Sequence, residues 1–212
     1  MLETEHEVKQ LLERYGIKRP SYWVVDSSWD SEIIGVLPEE KRFVVKVLDG
    51  NIKHKTEAGA VVVDVSGDRI EPVLRELWQK FGKKPVLIEE YIPHAVEFIL
   101  GVKKDENFEV VAGFGAGGFL TELYGDIVFR KLPLTREEIV KMVNSTKISA
   151  VFKGFRNLNY DYGAVIKAVM GIQELFEEKE DAIDHIEINP LIICDSEPVA
   201  LDAKIVLSGR IS

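Results

Sequence analysis

Glu187-Ile188-Asn189-Pro190 and, a few residues on, Ala200-Leu201-Asp202-Ala203-Lys204 set oxygen-donating side chains on two segments of strand character near the C-terminus. Alternation along a strand puts Glu187 and Asn189 on one face and Ile186 and Ile188 on the other. Pro190 is expected to end regular pairing. The stretch Cys194-Asp195-Ser196-Glu197-Pro198 is turn-forming, so Asp202 is expected on the neighbouring strand of a hairpin. Two or three oxygens on adjacent strands suit Mg²⁺, which takes few protein ligands and keeps positions for water and phosphate. The same residues would also serve as the wet face of an ordinary hairpin, and the pair alone does not separate the two readings.

Other residues able to do chemistry are scattered upstream. Lys46 interrupts the apolar run Phe43-Val44-Val45-Lys46-Val47-Leu48, where a cation either snorkels at a strand edge or faces a ligand. Val86 to Pro93 reads as an apolar strand ending in Glu89 and Glu90 and then a chain reversal through Tyr91 and Ile92. Such a segment can offer backbone groups to an adenine edge and a carboxylate, there or at Glu97, to ribose hydroxyls; it can also be a plain connector. His54 lies between Lys53 and Lys55 in a polar loop. Nearby cations favour neutral, nucleophilic imidazole and would stabilise a phosphorylated one, although most loop histidines are simply solvated. Gly113 to Gly118 is glycine-dense enough for backbone N–H groups to approach phosphate. No Gly-Lys-Ser/Thr follows it, so it is not a Walker loop, and a tight turn between strands is the plain alternative. Arg130 and Arg156 add basic groups able to clamp an anion.

The elements that must position these residues are mixed. Helices are expected over Thr4 to Tyr15, Ile70 to Phe81, Thr135 to Val143 and Tyr162 to Phe176, with Val8, Leu11 and Leu12 forming the buried stripe of the first. Strands are expected at Tyr22 to Val25, Phe43 to Leu48, Ala60 to Val65 and Pro85 to Tyr91, with room for a helix in the polar stretch between the first two. Beyond Pro93, Val96 to Val102, Phe108 to Gly115, Phe119 to Tyr124 and Ile127 to Lys131 read as an antiparallel run, and Ile183 to Ile193 with Val199 to Val206 as a closing hairpin. This mixture indicates α/β lobes.

The 212 residues, 46% hydrophobic and 30% charged, suffice for one large domain or two small lobes. A net charge of −9 argues against nucleic-acid binding, which needs a basic face, but leaves room for a nucleotide held by a few local cations. The single cysteine, Cys194, excludes a disulfide within the chain. No long apolar run and no basic leader are visible, so no membrane association and a cytoplasmic location are expected.

In their order along nearly the whole chain, these motifs resemble the beta subunit of ADP-forming acetate–CoA ligase, an ATP-grasp protein related to the succinate–CoA ligase beta subunit. The resemblance runs from Leu11-Leu12-Glu13-Arg14-Tyr15-Gly16-Ile17 through Val44-Val45-Lys46, Ile52 to Gly59, Ile88 to Pro93, Gly113 to Glu122 and Phe129-Arg130. It continues through Gly154-Phe155-Arg156 to Glu187-Ile188-Asn189-Pro190 and Leu201-Asp202-Ala203-Lys204. It implies an α/β (α+β) ATP-grasp fold of two lobes, residues 1–92 and 93–212, with nucleotide bound between them. It implies reversible conversion of acyl-CoA, ADP and phosphate to carboxylate, ATP and CoA. A separate CoA-binding alpha subunit would form the acyl phosphate and carry a phosphohistidine, in a hetero-oligomer of which α2β2 is one arrangement. Carried over residue by residue, Lys46 matches the phosphate lysine, and Glu89, Glu90, Tyr91 and Ile92 the adenine hinge. Glu97 matches a ribose contact, Asn189 and Asp202 the Mg²⁺ ligands, Glu187 the glutamate that orients the phosphohistidine, and His54 a relay histidine. The chain departs from the family pattern at Glu57, Ala60 and Asp105 to Glu109. Two other readings are a different ATP-grasp carboxylate ligase, against which His54 weighs, and a non-catalytic assembly subunit. Joint presence of Lys46, Glu187, Asn189 and Asp202 weighs against the latter.

Overall fold

The computed structural model describes residues 4–26, 37–38, 40–52 and 55–209. His54, and much of the polar stretch where a helix had room, lie outside the described residues. Thr4 caps α1 (Glu5–Glu13), its amide donating to Glu7 Oε2 at 2.7 Å in a capping box. Val8 and Leu12 form the buried stripe, and Gly16 (φ +80) turns the chain out of the helix.

Contacts divide the chain into two units, residues 20–93 and residues 1–19 with 94–212. The junction falls at Pro93–His94, and α1, which precedes residue 20, packs with the C-terminal unit. Val8, Leu12 and Ile17 are buried in that unit's core. The Lys18 amide donates to the Pro198 carbonyl, and the Ala200 amide to that of Lys18, each at 2.8 Å.

In residues 20–93 the strands are β1 (Tyr22–Val25), β2 (Arg42–Val47), β3 (Val61–Ser66) and β4 (Val86–Glu90), with α2 (Ile70–Phe81) between β3 and β4. They form an antiparallel sheet in the order β1-β4-β2-β3. Alternation turns Phe43, Val45 and Val47 toward Val73, Leu74 and Leu77 of α2, which makes that unit's core. Lys46 therefore projects from the opposite face of β2.

The other unit adds β5 (Phe98–Asp105), β6 (Glu109–Ala116), α3 (Phe119–Tyr124), β7 (Ile127–Lys131) and α4 (Arg136–Asn144). It ends with α5 (Tyr162–Glu178), β8 (Ile183–Cys194), β9 (Glu197–Ala200) and β10 (Ala203–Leu207). The antiparallel sheet runs β10-β8-β5-β6-β7, with β9 also on β8. One face, including Leu100, Val102, Phe114, Ile186 and Ile188, is buried with Val165, Val169 and Ile172 of α5. Glu187 thus belongs to the other face.

Two local expectations are corrected. Phe119 to Tyr124, expected as a strand, is a short helix. Gly118 (φ 58, ψ −145) breaks β6, and Gly125 in the left-handed region closes the turn with its amide on the Thr121 carbonyl at 3.1 Å. Phe119 and Leu123 satisfy helical spacing as readily as alternation. Pro190 does not end pairing: β8 runs on to Cys194 by changing partner, from β10 before Asn189 to β9 after Pro190. Among the described residues no helix is long and apolar enough to cross a membrane.

Candidate functional site

In residues 20–93, strand register decides what Lys46 can do. Glu89 on β4 lies opposite Val44, two residues from Lys46 on the same face of β2. Lys46 Nζ reaches Glu89 Oε2 at 2.8 Å, with the side chains only 10% and 3% exposed. A lysine so buried needs a carboxylate beside it, and the pair fixes an ammonium group at one place on the sheet. Glu90, by contrast, pairs with Lys41 at 2.8 Å in a more open setting. The Glu90 and Tyr91 amides donate to the Ser21 and Arg42 carbonyls at 2.9 and 2.8 Å. The structure therefore commits the Glu89 and Glu90 carboxylates and two hinge amides within the unit.

In the other unit, the partner change of β8 builds a tight constellation. The Asn189 amide donates to the Asp202 carbonyl at 3.1 Å, and the Leu201 amide to the Pro190 carbonyl at 2.9 Å. Asn189 and Asp202, both half-buried, are thereby held side by side where β9 gives way to β10. Asn189 Oδ1 also accepts from the Gly118 amide at 2.7 Å, tying the glycine loop to the same point. The Gly117 amide donates to the Glu97 carbonyl at 2.9 Å, and a Cβ at Gly118 would run into the Glu97 carboxylate. Glu97 Oε1 is 3.1 Å from His94 Nε2.

Glu187, two residues before Asn189, faces Lys204 across the β8–β10 pair, with Oε1 3.1 Å from the ammonium nitrogen. Its other neighbour, on β5, is Gly101, and next to that on β6 stands Gly113. The Phe129 ring lies over Gly113, where a Cβ would come within 2.7 Å of it. The sheet beside Glu187 is thus a strip of bare backbone bounded by Lys204 and Phe129. Arg130 donates to the Phe129 carbonyl at 2.8 Å and to Ser145 Oγ at 3.3 Å, which ties it to its own unit.

Among the described residues, no group of three or more His, Cys, Asp or Glu side chains is placed to enclose a metal. Asn189 and Asp202 offer an amide oxygen and a carboxylate on paired backbone. That donor set fits Mg²⁺, which is satisfied by one or two protein oxygens with water and phosphate, and not a cation that wants an all-protein cage. Of the residues singled out from sequence, the structure brings together Asn189, Asp202, Gly118 and Glu97 in one unit, with Glu187 on the same strand as Asn189, and Lys46 with Glu89 in the other. Reading from sequence missed Lys204 and His94 as partners of Glu187 and Glu97. Hairpin register for the first, and spacing of three residues for the second, were the available signals.

Residues 1–207 match the ATP-grasp domain family. The chain belongs to that family. Its two-sheet mixed architecture is the ATP-grasp fold expected from the sequence. This ATP-grasp chain is 33% identical over 211 residues to acetate–CoA ligase (ADP-forming) II of Archaeoglobus fulgidus, covering 99% of this chain and 31% of that protein. It is 28% identical to the beta subunit of acetate–CoA ligase (ADP-forming) I of Pyrococcus furiosus, over 96% of this chain and 90% of that subunit. The chain therefore spans about a third of the first relative and most of the second. A solved structure of Ca. Korarchaeum cryptofilum dinucleotide-forming acetyl-coenzyme A synthetase 1 matches with a TM-score of 0.80 and 27% identity, over 97% of this chain and 92% of that one. That protein is in complex with coenzyme A and Mg-AMPPCP, its phosphohistidine segment pointing towards the nucleotide binding site.

Proposed function

We propose that this ATP-grasp chain is the nucleotide-binding part of an ADP-forming acyl-CoA synthetase. Together with a CoA-binding partner subunit it would convert acyl-CoA, ADP and phosphate reversibly to carboxylate, CoA and ATP. The observation that carries the reading is the backbone lock between Asn189 and Asp202, with Glu187 one alternation away on the same strand.

Phosphoryl transfer asks a protein mainly for positioning and charge neutralisation. Lys46, held by Glu89, supplies a fixed positive charge for the nucleotide phosphates. Asn189 and Asp202 would hold Mg²⁺, which when bound offsets charge on the β- and γ-phosphate oxygens. Glu187 faces the incoming phosphohistidine of the partner and orients its imidazole by accepting from the ring N–H, while Lys204 keeps that carboxylate in place. In the ATP-forming direction the N–P bond of the partner's phosphohistidine breaks as a neutral imidazole nitrogen of His54 bonds to phosphorus, and the N–P bond on His54 then breaks as a terminal oxygen of ADP bonds to phosphorus, each imidazole being left neutral. His54 serves as the relay histidine of this chain, dividing a long transfer into two. Glu97 serves the ribose and the Glu89–Ile92 segment the adenine.

The test is reconstitution with the CoA-binding partner, acyl-CoA, ADP, phosphate and Mg²⁺, following ATP and free thiol together. Equal amounts of ATP and CoA are expected. ADP formation from ATP that depends on an added amine, with no CoA chemistry, would replace this reading by another carboxylate ligase.

A further inference from the structure

Lys9 of α1 is fully buried, and the fold spends a charged residue where an apolar one would pack. Its Nζ is 3.0 Å from Glu5 Oε1, one helical turn back, and that carboxylate is itself nearly buried. From there the ammonium group donates to the Leu201 carbonyl at 3.1 Å, far away in sequence. That carbonyl belongs to the peptide bond joining Leu201 to Asp202. The Leu201 amide is held by the Pro190 carbonyl, and the Asp202 carbonyl by the Asn189 amide. The Leu201 amide and the peptide groups on both sides of Asp202 are thus tethered, and Lys9 supplies one of these tethers from a charged side chain.

We infer that Lys9 is a positioning residue for the metal-binding pair, setting the orientation of Asp202 beside Asn189 through the Leu201–Asp202 peptide. The inference rests on the reading of Asn189 and Asp202 as Mg²⁺ ligands. A buried ion pair is commonly no more stabilising than apolar side chains of the same volume, so stability alone gives little reason for a lysine here. A strong, directional donor to one carbonyl does. Because α1 packs in the unit that carries Asp202, the tether lies within one unit. Groups that orient a ligand typically change metal affinity by about 10- to 100-fold when removed.

The experiment is a calorimetric titration of the chain with ADP, in EDTA and across a Mg²⁺ series, for wild type, Lys9→Met, Glu5→Gln and Asp202→Asn. For Lys9→Met the Mg²⁺ concentration giving half the enhancement of ADP binding should rise about tenfold, while ADP binding in EDTA stays at the wild-type value. Glu5→Gln removes the counter-charge but leaves the donor to Leu201, so it should lower the unfolding midpoint without moving the Mg²⁺ requirement. If Lys9→Met does not fold, Lys9→Gln is used; it shortens the side chain and removes the charged donor while keeping a polar end, and the same rise is expected. A folded Lys9 variant with the wild-type Mg²⁺ requirement overturns the inference if Asp202→Asn raises that requirement. If Asp202→Asn leaves it unmoved as well, the metal assignment itself has failed, and the inference with it.

Discussion

Replacing Lys46 by methionine keeps most of the unbranched side chain and removes its charge, leaving the Glu89 carboxylate 3% exposed without the ammonium that sits 2.8 Å away. Breaking a buried pair from one side costs about 3–5 kcal/mol, whereas exchanging both partners for apolar residues of similar volume is close to neutral. Lys46→Met should therefore lower the stability of the 20–93 unit by about 3–5 kcal/mol, and Lys46→Met/Glu89→Met should recover most of that loss. All three tryptophans (Trp23, Trp29 and Trp78) lie in residues 20–93, so urea unfolding followed by tryptophan fluorescence reports on this unit directly. Function should not follow stability. A hydrogen bond from a charged donor contributes about 1.5–3 kcal/mol, so the refolded double variant should still bind ADP about 10- to 150-fold more weakly than wild type. Two results would refute the reasoning. A single variant within about 1 kcal/mol of wild type would mean that the pair behaves as a surface salt bridge. A double variant with wild-type ADP affinity would remove Lys46 from the phosphate site.

Further outcomes follow from other parts of the structure. Gly118→Ala forces a glycine-only backbone region and pushes the Glu97 carboxylate aside, whereas Gly125→Ala meets open space at nearly the same φ. Thermal melts should show a cost of about 1–3 kcal/mol for the first and about 1–2 kcal/mol for the second, and only the first should weaken ADP binding. Lys204 and Glu187 are 59% and 35% exposed, so Lys204→Met should change stability by less than about 1 kcal/mol while slowing phosphoryl transfer to or from the partner in a quench-flow assay. The Thr135 amide, and then its hydroxyl, hold the Glu138 carboxyl below its ordinary pKa of 4.5. A depressed carboxyl stabilises the fold above its unfolded pKa and loses that contribution as pH falls through the folded value. Urea midpoints should decline as pH drops below 4.5, and Glu138→Gln should flatten that part of the profile.

The readable parts of this fold were those fixed by local pattern. Lys46 stood out as a cation inside an apolar strand run, the stripe of Val8 and Leu12 gave α1, and Ile186 and Ile188 set the face of Glu187. Unreadable parts depended on partners distant along the chain. That β2 lies beside β4, which joins Lys46 to Glu89, is a matter of strand order, and nothing within either segment specifies it. The same holds for α1, whose apolar stripe would suit either unit; its placement turns on Ile17, on Lys18 pairing near β9 and on Lys9 reaching Leu201. The run Phe119 to Tyr124 misled because its apolar spacing fits both periods, and the deciding signals were the flanking Gly118 and Gly125. Asn189 and Asp202 were legible as a pair because a hairpin brings them together whatever the rest of the chain does. The change of partner of β8 at Pro190 was not, since it required a second partner strand.

The central claim is that phosphate moves between a nucleotide on this chain and a histidine on the CoA-binding partner. Mixing the chain with that partner, Mg²⁺ and ATP labelled on its γ-phosphate, then quenching and separating the proteins, tests it directly. Acid-labile, base-stable label should appear on the partner only when this chain is present, appear also on His54 at early times, and be lost with Lys46→Met/Glu89→Met. Label reaching the partner without this chain, or at the wild-type rate with that variant, would contradict the account.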